Sequence, residues 1–434
     1  MKKIIECLLC LFVFLLPFQT RWIFQQGFLN GEKWEYGTFS LYATEILLGL
    51  IIVLAIVYAI NTVRSLGRFG MTGLRHGQVA TCPYILVLLV LLVLLNCVLA
   101  LDKGIAFYKF SQLILGVALF FIILTIKPAF QKVAFSFALS GLVQSALAIQ
   151  QFVEQKVIAN KWLGMASQDP HVLGVPVVQF GDDRWLRTFG SFSHPNMLAG
   201  FLVISLIFTI GLFFLNQRRE NGKLFLAIMA INFLALLTAL SRASFVAIAA
   251  AVILLAIFVR RDRELIKKIS KVALILIFIV TIFSVSYPEL IASRAFGASH
   301  VENLSNVSRI EQYGQWWQIV KNNWFTGVGL GNYTLALSKP NPNLPAWSYQ
   351  PIHNLYLLFV AELGLFGLAL CLLFVARCLL LFIKRIKSAT PSQSICFTCL
   401  ACLACLACLD HYFWSFFSGI MLASVVLSQS LIEQ

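Results

Sequence analysis

Long apolar segments follow one another along almost the whole chain, and they constrain its fold more than any other feature. Twelve are visible, and most reach the ~20 residues that cross a ~30 Å hydrocarbon core. They lie at about 4–24, 39–60, 83–101, 105–126, 133–152, 195–215, 224–240, 243–259, 272–290, 352–376, 394–409 and 412–431. None alternates with a period of two, as barrel strands would. We therefore predict an all-α, polytopic integral membrane protein with about 12 transmembrane helices in a single transmembrane domain, 1–434.

The composition supports the same class. Hydrophobic residues make up 60% of the chain and charged residues only 12%, which is about half of the ~25% found in soluble proteins. Such an apolar chain needs an apolar solvent, so membrane lipids are its expected surroundings. Soluble, collagen-like, disordered and disulfide-scaffold classes are excluded.

The net charge of +15 is explained by membrane topology. If the N-terminus is inside, twenty of the 33 lysines and arginines fall in cytoplasmic segments, as the positive-inside rule requires. No nucleic-acid partner is needed to explain the charge. We expect a multi-pass protein of the bacterial cytoplasmic membrane with both termini in the cytoplasm. Arg219, Lys268 and Lys387 would then be cytoplasmic, and Glu302 and Asn343 extracytoplasmic.

The largest extracytoplasmic loop is predicted at 291–351. Within it, Ser308 and Glu311 are spaced as a capping box, which predicts a helix that begins at Arg309. A cation in the first turn opposes the helix dipole but suits an anion bound at that terminus. The alternative is a solvated loop arginine.

A histidine and several arginines are expected at the same outer face. His353 stands at the mouth of the tenth predicted helix, Arg184 and Arg187 precede the sixth, and Arg242 occupies the short turn between the seventh and eighth. Together with Arg309, they would place a base that titrates near neutral pH among cations. That combination suits a reaction with a phosphate leaving group. A role for His353 as a helix cap or anchor is the alternative.

Other polar and glycine-rich features have less specific interpretations. Asp410 and His411 follow the eleventh predicted helix, where they could orient His353 or an arginine, or only anchor the interface. Asn354 and Arg184 are further neighbours of the expected site. The run Gly327-Val328-Gly329-Leu330-Gly331 predicts a tight re-entrant turn and not a nucleotide-binding loop, because it follows a helix.

No metal and no cofactor are expected. The outer segments contain no aspartates at alternate positions and no clustered carboxylates or histidines that would hold a divalent ion. The five cysteines at every third position from Cys396 to Cys408 spiral around a helix instead of converging on one ion, so we interpret them as packing residues.

Several of these stretches resemble the O-antigen ligase and O-antigen polymerase superfamily of bacterial membrane glycosyltransferases. They are Arg187-Thr188-Phe189-Gly190, Pro195-Asn196-Met197-Leu198-Ala199-Gly200, Ser241-Arg242-Ala243, Gly327 to Gly331, and His353-Asn354 followed after nine residues by Gly364-Leu365-Phe366-Gly367. The resemblance covers about 180–380. The histidine motif is similar to the ligase branch, although Tyr313 stands where the ligase pattern has leucine four residues after Arg309.

This resemblance implies transfer of a preassembled glycan from undecaprenyl diphosphate to an acceptor hydroxyl at the outer face of the membrane. The acceptor would be a lipid, a glycan or a protein. His353 would deprotonate the hydroxyl, and Arg187, Arg242 and Arg309 would bind the diphosphate. Direct displacement would invert the anomeric centre.

Other functions remain open on the sequence. A polysaccharide polymerase or a protein O-oligosaccharyltransferase would use the same donor chemistry. A glycan-lipid transporter is a more distant alternative. A transporter is expected to have two related halves and charged groups at the membrane midplane. Here the polar groups cluster near one face, and Glu45, Glu362 and a few glutamines are the main polar residues inside the predicted helices.

Overall fold

The computed structural model describes residues 1–68, 82–216, 218–296, 300–340, 342–385 and 390–432. Lys387, which we expect to be cytoplasmic, lies outside this part of the chain.

Helices make up most of the described chain. In order they are α1 Lys2–Leu15, α2 Ala43–Arg68, α3 Cys82–Leu99, α4 Lys103–Ile126, α5 Phe130–Glu154, α6 Pro195–Leu215, α7 Arg219–Thr238, α8 Arg242–Val259, α9 Arg263–Ser286, α10 Pro288–Phe296, α11 His300–Asn323, α12 Tyr333–Ser338, α13 Leu355–Arg385, α14 Pro391–Ala407, α15 Tyr412–Ser415 and α16 Phe417–Leu431. The all-α membrane class is confirmed.

Seven of the described helices are long and apolar enough to cross a membrane, and four shorter apolar helices accompany them. The predicted count of twelve is therefore not confirmed. The first apolar segment, 4–24, does not form one long helix, because α1 ends at Leu15, just before Pro17. The chain then continues as strand β1 from Arg21.

Three short antiparallel strand pairs lie outside the helices. Strand β1 (Arg21–Gln25) pairs with β4 (Phe39–Tyr42), and β2 (Phe28–Leu29) pairs with β3 (Glu32–Lys33) between them. Strands β5 (Val177–Phe180) and β6 (Asp183–Leu186) form a hairpin before α6.

Helix α6 is the centre of the bundle. It is apolar on all sides, and all but two of its residues are buried among α5, α7, α8 and α14, as expected of a helix without a polar face. The polar atoms that it does carry find partners. Ser205 of α6 accepts at Oγ from Asn232 of α7 at 3.1 Å. Asn232 in turn accepts from Ser145 Oγ of α5 at 2.9 Å. The apolar sequence of α6 therefore decides which helix is central.

The predicted loop at 291–351 contains helices instead of irregular chain. Helix α11 is already helical at His300, so the predicted start at Arg309 is wrong. Ser308 and Glu311 have the spacing of a capping box, but the residues before Ser308 continue the helix and leave no terminus to cap. Arg309 consequently lies inside α11, where the N-terminal dipole argument does not apply.

The glycine run after α11 forms the tight turn that its sequence predicts. Gly327, Gly329 and Gly331 have φ angles of 71°, 100° and 72°, a region that glycine adopts without strain. The turn lies against α13 at Gly364, where φ is 62° and ψ is −145° and the helix is broken. Backbone hydrogen bonds join the two segments, from Val328 N to Ala361 O at 3.0 Å and from Gly329 N to Glu362 O at 3.1 Å.

Gly364→Ala tests this junction. A Cβ atom at Gly364 would lie 2.3 Å from the carbonyl oxygen of Phe325, and the backbone angles there are almost exclusive to glycine. We expect the substitution to cost at least about 2 kcal/mol and to lower the thermal unfolding midpoint of the purified protein.

Gly314→Ala is the matched control, because a Cβ atom there meets nothing within 4 Å. Alanine in that helical position should be neutral or stabilise by up to about 1 kcal/mol. Equal midpoints for the two variants would contradict the role of the glycine junction.

Candidate functional site

Three histidines and an aspartate line one cavity of about 390 Å³. They are His194, His353, His411 and Asp410, which come from the segments before α6, before α13 and after α14. The strand pair β1–β4 closes another side of the cavity. Residues separated by more than 200 positions therefore share one polar site.

His353 is held by a side chain of α11. Its Nδ1 lies 3.0 Å from Oε1 of Gln312, and its backbone N–H points to the same oxygen. Because that oxygen only accepts, we assign the proton to Nδ1, which leaves Nε2 with its lone pair. Burial lowers the pKa of His353 and the Arg309 cation lowers it further, although Asp410 opposes both. His353 is therefore a neutral imidazole at neutral pH.

The other two histidines are also neutral. Burial lowers the pKa of His194 to about 3, with help from the Arg187 cation, and lowers that of His411 to about 4. His194 Nδ1 accepts from the backbone N–H of Asn196 and so caps α6. The His411 ring lies edge-on to His353, with 5.5 Å between ring centroids.

A chain of hydrogen bonds runs from Asp410 to Arg187. Asn196 donates from Nδ2 to Asp410 Oδ2 at 2.7 Å and accepts at Oδ1 from Arg187 at 2.6 Å. Burial raises the pKa of Asp410, but the positive charge that the neighbouring histidines carry when protonated, together with the hydrogen bond from Asn196, outweighs burial and holds that pKa below the usual value. Asp410 is therefore a buried carboxylate that orients Asn196 and, through it, Arg187.

Arg187 extends from this chain to the turn between α7 and α8. Its Nε donates to the carbonyl of Ala239 at 3.0 Å. The next carbonyl, that of Leu240, accepts from Nε of Arg294 at 2.8 Å, and Leu240 has a φ of 48°. Arg242 follows as the first residue of α8. Three guanidinium groups thus belong to or contact one turn.

The helix-terminus argument that the sequence suggested for Arg309 fits Arg242 instead. Ser241 precedes α8 and makes no side-chain capping bond, so the positive end of the helix dipole lies next to Arg242. A helix N-terminus accompanied by several arginines favours an anion.

An apolar groove of about 790 Å³ extends from this turn along α7, α8 and α9. Phe233, Ile248 and Leu276 are among its lining residues, and Arg242 and Arg294 also border it. The groove is therefore apolar along its length and cationic where it meets the turn.

The remaining predicted site residues lie in different places. Arg309 is close enough to His353 to lower its pKa. Asn354 accepts at Oδ1 from the backbone N–H of Leu357 at 3.1 Å, so it caps the first turn of α13. Arg184 donates to the carbonyl of Pro170 at 2.6 Å in the segment before α6, and it does not line the histidine cavity.

Sequence reasoning missed several residues of the site. His194 directly precedes the motif that begins at Pro195, and that proline is a helix-start signal that could have placed His194 beside His353. Arg294 and Gln312 carry no such signal. Arg21 and Tyr36 lie in the N-terminal region, outside the resemblance at about 180–380, yet both line the histidine cavity.

A smaller polar cavity of about 40 Å³ adjoins the first, and Tyr36, Tyr42 and Phe416 border both. Lys109 and Glu362 lie on opposite helices around it. Lys109 donates to Ser415 O at 2.6 Å, and Glu362 accepts from Trp414 at 2.7 Å.

These contacts extend the buried polar region to His411, whose Nδ1 lies 2.9 Å from Ser415 Oγ. Among the described side chains, no three His, Cys, Asp or Glu residues are grouped so that they could hold a metal ion.

Residues 224–372 match the family model described as O-Antigen ligase. The matched segment runs from α7 into α13 and contains Arg242, Arg294, Arg309, Gln312 and His353. No curated protein matches the chain. The resemblance seen in the sequence motifs is confirmed, and it indicates a membrane glycosyltransferase of the ligase or polymerase kind. Residues 224–372, about a third of the chain, are therefore similar to the O-antigen ligase family.

Proposed function

We propose that this protein transfers a preassembled glycan from undecaprenyl diphosphate to an acceptor hydroxyl at the outer face of the bacterial cytoplasmic membrane. The observation that carries the proposal is the connection of the histidine cavity, through Asn196 and Arg187, to an apolar groove bordered by arginines. A lipid-linked donor needs three environments in succession. They are an apolar groove for its hydrocarbon chain, cations for its diphosphate and a polar cavity for its sugar.

The groove between α7, α8 and α9 would hold the polyprenyl chain. Its lining is almost wholly apolar, and exposed side chains such as Ile253 and Ile277 border it, as expected of a groove that opens towards lipid. Arg242 and Arg294 stand where the first phosphate would emerge from the groove. Guanidinium groups pair with two phosphate oxygens at once, so they suit a diphosphate in the absence of a metal ion.

His353 is the proposed base. Nε2 would take the proton from the acceptor hydroxyl while the hydroxyl oxygen attacks the anomeric carbon of the donor sugar. The bond between that carbon and the diphosphate oxygen breaks, and undecaprenyl diphosphate leaves with both electrons of that bond. One displacement of this kind inverts the anomeric centre. Arg187 and Arg309 would stabilise the charge that develops on the leaving group.

The position of Tyr313 bears on the choice between ligase and polymerase. This residue departs from the ligase pattern, but its side chain is half exposed on α11 and does not line the histidine cavity. The departure therefore does not weigh against a ligase. A polymerase would use the same base and leaving group with a second lipid-linked unit as acceptor.

His353→Ala tests the base. With an undecaprenyl-diphosphate-linked oligosaccharide as donor, we expect the transfer rate to fall by roughly a hundredfold to ten-thousandfold, the usual contribution of a general base. His171→Ala is the control, because His171 is exposed in the segment before α6 and does not line the cavity. Near-normal transfer by a well-folded His353→Ala protein would rule out this role.

The pH dependence provides a separate test. Because burial and Arg309 lower the pKa of His353, the neutral base should persist below pH 6.5, and kcat/KM should decline only at more acidic pH. Arg309→Gln removes a cation that disfavours the protonated ring, so the acid limb should move to higher pH. A wild-type limb above pH 6.5, or a limb that does not move in the variant, would contradict the assignment.

Arg242 tests the diphosphate site. Arg242→Lys retains the charge but loses the planar pair of donors, so we expect the KM for the donor to rise by about ten- to hundredfold, with a larger rise for Arg242→Ala. Arg184→Lys is the matched control outside the groove. Full activity of Arg242→Lys would show that a general positive field is sufficient.

A further inference from the structure

Helix α11 presents two different exposed flanks beside its packed face. Trp316, Ile319 and Val320 pack against the protein. One exposed flank carries large apolar side chains, with Tyr313, Trp317 and Trp324 all more than half exposed. At 100° per residue, Gln315, Gln318 and Asn322 fall together on the opposite flank. The helix therefore separates an aromatic surface from an amide surface.

The amide flank borders a groove of about 420 Å³ between α11 and α12. Gln315, Gln318, Asn322 and Asn323 line it, and its apolar residues include Ile319. Asn323 donates to the carbonyl of Ile319 at 2.9 Å. Within the described part of the chain, the other three amide side chains make no hydrogen bond to protein. They are thus available to a ligand.

The lining selects the chemistry of that ligand. Among the described residues that line the groove there is no carboxylate and no arginine, and Lys339 is the one charged residue, so neither a metal ion nor a diphosphate is favoured. A hydrocarbon chain would leave several amides without partners. Sugar hydroxyls both donate and accept hydrogen bonds, as amide side chains do, and their C–H faces suit the apolar part of the groove. The volume lies within the range of about 300–1,000 Å³ that small-molecule sites occupy.

The groove between α11 and α12 is also close to the proposed base, His353. Gln312, which holds His353, lies one helical turn before Gln315 on the same helix. A chain whose first sugar reacts at His353 could therefore continue along α11 into the groove.

Resting on the proposed function, we propose that this groove binds an uncharged stretch of the glycan chain, several hydroxyl-rich sugars from the reacting bond. The glycan could belong to the donor or to a glycan acceptor, since both present the same hydroxyl chemistry. The site would make the enzyme sensitive to the length of its substrate, because Gln318 and Asn322 lie about two and three helical turns beyond Gln312, the residue that holds His353.

The test compares the wild-type protein with a triple variant that carries Gln315→Ala, Gln318→Ala and Asn322→Ala. Alanine preserves the helix. Lys321→Ala is the matched control, since Lys321 is exposed on the same helix and does not line the groove. The probe for binding is lipid-free oligosaccharide released from the host's own envelope glycan, separated into one repeat unit and longer chains.

We expect wild-type protein and Lys321→Ala to bind longer chains more tightly than one repeat. The triple variant should bind the long chains roughly tenfold or more weakly, because it loses three amide partners. Absence of wild-type binding, or equal binding by the triple variant, would overturn the inference. A protein that binds the chains but transfers nothing would contradict the proposed function and leave the groove assignment intact.

Transfer kinetics then identify the source of the chain. If the groove holds the donor glycan, the triple variant raises the KM for a long lipid-linked donor and not for a donor with one repeat. If it holds the acceptor, the KM for a glycan acceptor rises and that for the donor does not. An equal loss for short and long substrates would mean that the variant acts only on the position of α11, which would also overturn the inference.

Discussion

The contact between the glycine turn and the broken α13 is the constraint on which the site depends. Two backbones approach each other at Gly327 and Gly364, where any side chain would collide with main-chain atoms. This approach determines how α11, which precedes the turn, lies against the entrance of α13. The result is the hydrogen bond between Gln312 and His353, and with it the tautomer and direction of the imidazole. A backbone junction outside the cavity therefore positions the proposed base.

The electrostatics of the site follow from burial and from where the cations are held. The three histidines lie in a cavity that disfavours their protonated forms, while Asp410 remains a carboxylate because it accepts hydrogen bonds. The guanidinium groups of Arg187 and Arg309 favour the neutral imidazoles, because a nearby cation disfavours a second positive charge. Arg187 reaches the turn after α7 through Ala239, and Asn196 stands between it and Asp410. His353 is therefore neutral, and able to accept a proton, next to a cationic region.

The matched family segment provides only part of this arrangement. Residues 224–372 include His353, Arg242 and Arg294. His194, Asp410 and His411 come from outside that segment, and strands β1 and β4 add Arg21 and Tyr42 to the cavity wall. The N-terminal region, which lies outside the resemblance at about 180–380, thus contributes to the same site.

The sequence by itself determined the membrane class, most helix positions, the glycine turn and the motifs around Arg187, Arg242 and His353. These properties depend on local composition and spacing, and an apolar run or a glycine with positive φ needs no knowledge of distant residues. Tertiary structure decided the rest. Arg294 and Gln312 carry no local signal, and they matter because packing brings them to Leu240 and His353. The capping box at Ser308 was misleading because a local hydrogen-bonding pattern cannot tell whether the helix has already begun. Only the packed fold brings together side chains from both ends of the chain, since that proximity depends on helix contacts and not on sequence spacing.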